Sequence, residues 1–265
     1  MTSGYQQRFG GLARLYGTIG LERLLAAHVG VIGIGGVGTW AVEALARSGL
    51  GELTLIDLDE VCISNVNRQL HALDGTVGRP KVEVMAARVL AINPECRVHA
   101  VPEFFTAANA GSLLAPRFDF IVDAIDSLAN KCRLIAACRG RNIPVVVCGA
   151  AGGRRDPTAV RVADLAQASH DRLLSQMRKR LREEHGFPRG GKKAGIECVF
   201  SPEPTVFPAK DGAICTARAE ADLDEAARLN CELGFGSATF VTGAFGFAAA
   251  ALVVRRIAES NVSHI

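Results

Sequence analysis

Apolar positions fall in short unbroken runs, each followed by a polar turn and then by apolar residues at helical spacing. Residues 28–33 (HVGVIG) form the first run, and a helical pattern follows from Val37 to Ser48. Residues 52–57 (ELTLID) form the second, with a helix predicted from about Pro80 to Ile92. Pro80 suits a first turn, where its missing N–H costs nothing. Residues 96–101, 118–125 and 143–148 read as three more strands, with helices around 106–115 and 128–141. Strands alternating with helices predict a parallel sheet covered on both faces. The expected fold class is α/β: a doubly wound, Rossmann-like, mostly parallel sheet.

The pattern changes after Gly153. Residues 158–165 and 195–201 read as strands, 169–185 as a strongly basic helix, 186–194 as a mobile loop and 202–236 as irregular. Gly234 to Val254 carries no charge and is long enough to cross a bilayer. Its Gly, Thr and many Ala favour a buried closing helix or a subunit interface, so no membrane span is expected.

The 265 residues suffice for one large α/β domain or two small ones. A net charge of +3 announces no nucleic-acid partner, so such a claim must rest on where the charges sit. None of the eight cysteines forms a C-x-x-C pair, which argues against a structural zinc ribbon. No secretory signal opens the chain, so a cytoplasmic, reducing location is expected.

Gly33-Ile34-Gly35-Gly36-Val37-Gly38 fits G-x-G-x-x-G between a strand and a helix. In that context the first glycine permits a tight turn, the middle ones let a phosphate approach, and the last lets helix meet strand. Free amides and the helix dipole then attract the anion. Asp57 ends the second strand, where an acid can accept from ribose hydroxyls. The loop alone does not separate NAD, FAD, a methyl donor or ATP. The segment after Asp57 adds Asp59, the hydrogen-bonding groups Asn65, Asn67 and Gln69, and two cations, Arg68 and Lys81, suited to polyphosphate. Lys81, at a helix start, opposes the helix dipole unless an anion lies nearby. Asp126 ends the fourth strand, where a carboxylate can hold Mg²⁺ against phosphate, with Asp123 as its competitor or a helix-capping role as the alternative.

Together the Gly33–Gly38 loop, Asp57 and Asp59, Ser64–Gln69, Gly78–Lys81 and Asp126 resemble the adenylating domain of the ubiquitin-activating-enzyme-like superfamily. The resemblance implies Asp57 on ribose, Arg68 and Lys81 on phosphate, Asp126 near Mg²⁺, and Asn65 and Asn67 shaping the nucleotide site. It implies one adenylating domain over 1–265, with a nucleotide-binding part at 1–153 and a substrate-binding elaboration at 154–265. It also implies a homodimer in which an N-terminal arginine reaches the partner's site; Arg8 and Arg14 are the candidates, and Arg14 is favoured. Within the superfamily, residues 8–17, 67–73, 123–127, 197–201 and 231–239 resemble the tRNA threonylcarbamoyladenosine dehydratases. That family uses ATP to cyclise a modified adenosine beside the anticodon. The implied route is adenylation of the threonyl carboxylate, release of pyrophosphate, internal attack with ring closure, and release of AMP.

The rival expectation is an adenylyltransferase that activates the C-terminal carboxylate of a ubiquitin-like sulfur carrier. Cys231 would then be a sulfur-accepting thiol with a cysteine desulfurase as partner. A non-catalytic nucleotide-sensing module leaves Arg68, Lys81 and Asp126 unexplained, and an NAD-dependent dehydrogenase leaves Ser64–Gln69 unexplained. For tRNA, the basic segment supplies Arg178, Lys179, Arg180 and Arg182 on a helix and Lys192 and Lys193 in a Gly-rich loop, a platform for phosphate contacts. The competing reading of this segment is a solvated charged face.

Overall fold

A computed structural model describes residues 1–189, 192–209, 211–216 and 235–260. Seven strands form one sheet: β1 (His28–Ile32), β2 (Glu52–Ile56), β3 (Arg97–Val101), β4 (Phe120–Asp123), β5 (Val145–Cys148), β6 (Arg161–Asp164) and β7 (Glu197–Phe200). Their spatial order is β3-β2-β1-β4-β5-β7-β6. All neighbours are parallel except β6, which runs antiparallel to β7 on the edge. The central strands β1 and β4 are buried throughout, which is why their sequences read as unbroken apolar runs. Edge strand β3 is largely exposed. The sheet continues past Gly153 without a break, because the chain returns to place β7 beside β5.

Helices cover both faces. On one lie α1 (Ser3–Ala26), α2 (Gly38–Arg47), α3 (Lys81–Ile92) and α7 (Thr239–Ala258). The other carries α4 (Ala110–Leu113), α5 (Leu128–Gly140) and α6 (Arg172–Glu184). In α3 the buried residues Val82, Met85 and Val89 recur at helical spacing, as do Leu174, Met177 and Leu181 in α6. Asp171 caps α6, its Oδ1 accepting the Leu174 N–H at 2.9 Å. The segment expected to be irregular holds, in its described part, a small hairpin of β8 (Phe207–Pro208) and β9 (Ile214–Cys215).

One element differs from expectation. Helix α1 has no counterpart in the sequence reading. Five glycines dilute its apolar pattern, and Gly17 kinks it with φ +75°. It is held by tertiary contacts: Tyr5, Phe9 and Leu21 are buried, and the Tyr5 hydroxyl donates to Gly49 O at 2.6 Å. Helix α7 has the length and apolarity of a membrane span and, as expected of a closing helix, lies across the sheet and packs on α2, α1, β5 and β7.

The α2–α7 contact is close because Gly246 faces α2. A Cβ there would sit 2.6 Å from Val37 O and 2.8 Å from Ala41 N. Gly246→Ala must therefore push the helices apart, at a cost of about 1–3 kcal/mol by the overpacking rule. Gly243→Ala, with nothing nearer than 3.9 Å, is tolerated. Thermal melts of the two variants check this pair of outcomes.

Candidate active site

The carboxyl ends of the central strands open into a cleft of about 710 Å³. Its walls come from the loop after β1, the 57–81 segment after β2, Glu103–Phe105 after β3, Ala124–Ser127 after β4 and Cys148–Gly152 after β5. Phe235 and Ser237, before α7, close one side. This is where an open parallel sheet binds ligands, between strands whose crossovers go to opposite faces.

The glycine loop divides by task. Gly33 has φ +91°, and a Cβ on it would lie 2.7 Å from Ala124 O. A Cβ on Gly38 would overlap the Gly33 carbonyl oxygen. Those two positions let the ends of β1, β4 and α2 meet. Gly35 and Gly36 line the cleft, and nothing lies nearer than 4.0 Å to a Cβ on Gly35. The first helical bond here runs from Thr39 N–H to Gly35 O, 3.2 Å. The amides of Gly36, Val37 and Gly38 have no acceptor among the described residues and sit at the positive end of α2.

Asp57 is buried, and its two oxygens hold the loop: Oδ2 accepts from Ile34 N–H at 2.6 Å and Oδ1 from Asp59 N–H at 2.8 Å. Burial raises its pKa, while Lys81 and the two amides oppose that rise. The anion expected beside Lys81 is Asp59, whose Oδ2 lies 2.8 Å from Nζ. Lys81 is buried and lines the cleft, so phosphate would meet an ammonium already fixed in place. Arg68 lines the cleft too, with Nη1 donating to Ser64 O at 2.7 Å and Asn67 Oδ1 at 2.9 Å. Gln69 lines the cleft, and its Oε1 is buried without a partner among the described residues. His71 braces the loop from behind, Nε2–H donating to Ile34 O at 2.9 Å. Burial lowers its pKa to about 4, which keeps the ring neutral.

The cleft thus gathers Gly33, Gly35, Gly36, Asp57, Asp59, Arg68, Gln69, Lys81 and Asp126, all expected from sequence. Gly38 lies beneath it. Asn65 and Asn67 do not line it: Asn65 Oδ1 accepts from Cys62 N–H, and Asn67 Nδ2 donates to Ser237 O at 2.9 Å. Their hydrogen bonds shape the loop. Arg14 is exposed on α1 and does not line its own chain's cleft. Asp126 is exposed and makes no hydrogen bond among the described residues, so the capping alternative is not realised. Asp123 instead points inward to Lys131, at 2.9 Å, with both side chains fully buried. Sequence reading missed Lys131, Asn130, Phe104, Phe105 and Gly149–Gly152. For Phe104, Phe105 and Gly149–Gly152 the available signal was their position just past strand ends. Cys231 lies outside the described residues.

A family model matches residues 8–263, and its family is ThiF. The chain belongs to the ThiF family. Similar proteins include the tRNA threonylcarbamoyladenosine dehydratase of Escherichia coli (strain K12), 47% identical over 258 residues, covering 97% of this chain and 96% of that protein. The enzyme of that name from Haemophilus influenzae is 46% identical over 258 residues, 97% of this chain and 95% of its own. Among solved structures, the E. coli dehydratase in complex with ATP superposes with a TM-score of 0.86 at 43% identity, covering 99% of each chain. In this ThiF-family chain the cleft built by Gly33–Gly38, Asp57 and Lys81 stands at the carboxyl edge of that shared sheet.

The split within the glycine loop predicts two unlike outcomes. Gly35→Ala leaves melting nearly unchanged, because a methyl has room, but weakens ATP binding by filling the phosphate's path. Gly38→Ala lowers the melting temperature outright, because the methyl meets backbone. Calorimetric titration with ATP and a thermal melt of each variant check the contrast.

Proposed function

We propose that this chain is an ATP-dependent tRNA threonylcarbamoyladenosine dehydratase that acts through carboxylate adenylation. The observation that carries the reading is the likeness, over nearly the whole of both chains, to the E. coli enzyme of that name. The cleft supports it: free amides, Arg68 and Lys81 converge on one space, a set made for a polyphosphate rather than for a dinucleotide alone.

The threonyl carboxylate of the modified adenosine attacks the α-phosphate of ATP, and pyrophosphate leaves. A heteroatom of the same carbamoyl unit then attacks the activated carbonyl, closing the ring and expelling AMP. Nucleophile and electrophile share one molecule, so ring closure costs little orientational entropy. Arg68, Lys81 and the amides of Gly36–Gly38 face the negative charge that grows at phosphorus. Asp57, at the end of β2, would accept from the ribose hydroxyls. Asp126 suits a Mg²⁺ ligand because its carboxylate is free at the cleft, whereas Asp123 is consumed by Lys131. When bound, Mg²⁺ would neutralise phosphate charge there. No step uses a thiol, so Cys231 and a sulfur-acceptor partner belong to the alternative, activation of a sulfur carrier, which no specific observation favours.

A homodimer in the cytoplasm completes the reading. Leu15 and Ile19 on α1 are 75% and 64% exposed, and Phe240 and Phe247 on the adjoining α7 are also exposed. Such an apolar face suits a second copy, and Arg14, next to Leu15, would travel with it to the partner's cleft.

Loss of one charge-stabilising donor costs on the order of 3 kcal/mol, about a hundredfold in rate. Arg68→Ala or Lys81→Ala should therefore cut tRNA-dependent pyrophosphate release by about that factor with the fold intact. Near-parental rates in both variants would remove the phosphate assignment.

We infer a narrower tRNA surface than the whole basic segment. Arg178 is spent on the carbonyls of Leu165 and Ala168, and Arg182 on Pro188 O at 3.0 Å. Arg180 pairs with Glu184 at 2.8 Å. Lys179 is exposed, with only a loose 4.0 Å approach to Glu183, and Lys192 and Lys193 are exposed. Joint replacement of Lys179, Lys192 and Lys193 by Ala should weaken tRNA binding and flatten its salt dependence, since fewer counterions are released. Arg178→Ala and Arg182→Ala should instead lower thermal stability. Parental tRNA affinity and salt slope in the triple variant would move the platform elsewhere.

A further inference from the structure

Asp123 and Lys131 form an ion pair with no solvent exposure on either side chain. Lys131 Nζ lies 2.9 Å from Asp123 Oδ2 and 3.4 Å from the Asp123 carbonyl oxygen. The other carboxylate oxygen accepts from Ile125 N–H at 3.1 Å. Lys131 belongs to the first turn of α5, where its own N–H donates to Ser127 O at 2.9 Å. The pair therefore closes a ring: from the end of β4, through the 124–127 turn, into α5 and back to β4.

A fully buried pair of charges is a poor source of stability, because the desolvation cost offsets the attraction. Burial alone pushes the Asp123 carboxyl up, and Lys131 is the cation whose field pulls it back. The neighbouring thiols Cys132, Cys138 and Cys148 are raised by burial to about 11, 12 and 12, so they stay neutral and offer no alternative charge. What the pair controls is geometry. Ala124, inside the ring, donates to Ile32 O at 2.9 Å, and its carbonyl oxygen is the atom that leaves no room for a Cβ on Gly33. Asp126, also inside the ring, has no side-chain hydrogen bond among the described residues to hold it. Its place relative to the glycine loop is set by the backbone of this turn.

We propose that the Lys131–Asp123 pair is a positioning element for the reaction, fixing the 124–127 turn so that the Asp126 carboxylate faces the phosphate loop. The proposal rests on the reading of Asp126 as the metal-facing carboxylate. Lys131 does not line the cleft and touches no substrate; it acts through the turn, as supporting shells do for metal ligands.

The test uses the full chain with ATP, and Mn²⁺ as a paramagnetic probe followed by electron spin resonance. Three proteins are compared: the parent, Asp126→Asn, and the double variant Asp123→Asn with Lys131→Met. The double variant removes both charges together, and the amide oxygen introduced by Asp123→Asn can still accept from Ile125, so the fold is expected to survive. Asp126→Asn should weaken Mn²⁺ binding at least tenfold. The double variant, although it retains Asp126, should weaken it at least fivefold. It should also lower kcat for pyrophosphate release at least tenfold, with KM for ATP within threefold of the parent. A purely structural pair would lower the melting temperature and move none of these. If the double variant does not fold, Asp123→Asn alone is read the same way. Weakened Mn²⁺ binding in Asp126→Asn, with parental binding and kcat in the pair variant, overturns the proposal alone. Parental binding in Asp126→Asn overturns the Asp126 reading, and the proposal with it.

Discussion

The structure depends on a place where no side chain fits. At the carboxyl ends of β1 and β4, Gly33 meets the Ala124 carbonyl, and Gly38 meets the Gly33 carbonyl from the start of α2. Sterics there bring three backbones together and leave a row of amides with no partner among the described residues. Those amides lie at the positive end of a helix, so the same constraint that closes the fold makes an anion site. Asp57 and His71 then lock the loop through the N–H and C=O of a single residue, Ile34. Phosphate would enter a site that is already shaped and need not reorganise it.

Charge around this site is arranged in pairs that do different things. Lys81 is buried and held by Asp59, which remains partly exposed at the cleft, so the ammonium is fixed but not fully neutralised. Lys131 is buried with Asp123 and unavailable to a ligand. Asp126 has no partner among the described residues. A polyanion with its metal would find one fixed cation, one arginine tethered by its own loop, and one free carboxylate. That inventory fits adenylation of a carboxylate, where charge builds at phosphorus and the reacting acid comes with the substrate.

Much of this was legible in the sequence. Strands β1, β2, β4 and β5 and the helices between them stand out because a parallel sheet buried on both faces writes continuous apolar runs, while exposed β3 shows mainly through its place in the alternation. The glycine loop and Asp57 were legible from their place between strand and helix, and Arg68 and Lys81 as cations beside that loop, with their roles implied by the family resemblance. Helix α1 was not, since glycines break its pattern and Tyr5 is anchored through Gly49, far along the chain. The Lys131–Asp123 pair was not, because eight residues' separation across a strand end and a helix start carries no periodic signal. The basic helix showed its charge but not its hydrogen bonds. That Arg178 and Arg182 serve carbonyls, leaving the lysines to solvent, depends on how α6 lies against its neighbours. Loops after β3 and β5 became cleft walls only once the strand order was known.

The proposed reaction closes a ring on one modified tRNA nucleoside at the expense of ATP. The most direct measurement is the mass of that nucleoside, after incubation of the protein with ATP, Mg²⁺ and tRNA that carries threonylcarbamoyladenosine, followed by digestion under conditions that spare the product. A loss of one water, dependent on ATP and absent with unmodified tRNA, is the predicted result. An unchanged mass from a folded protein that binds ATP would contradict it.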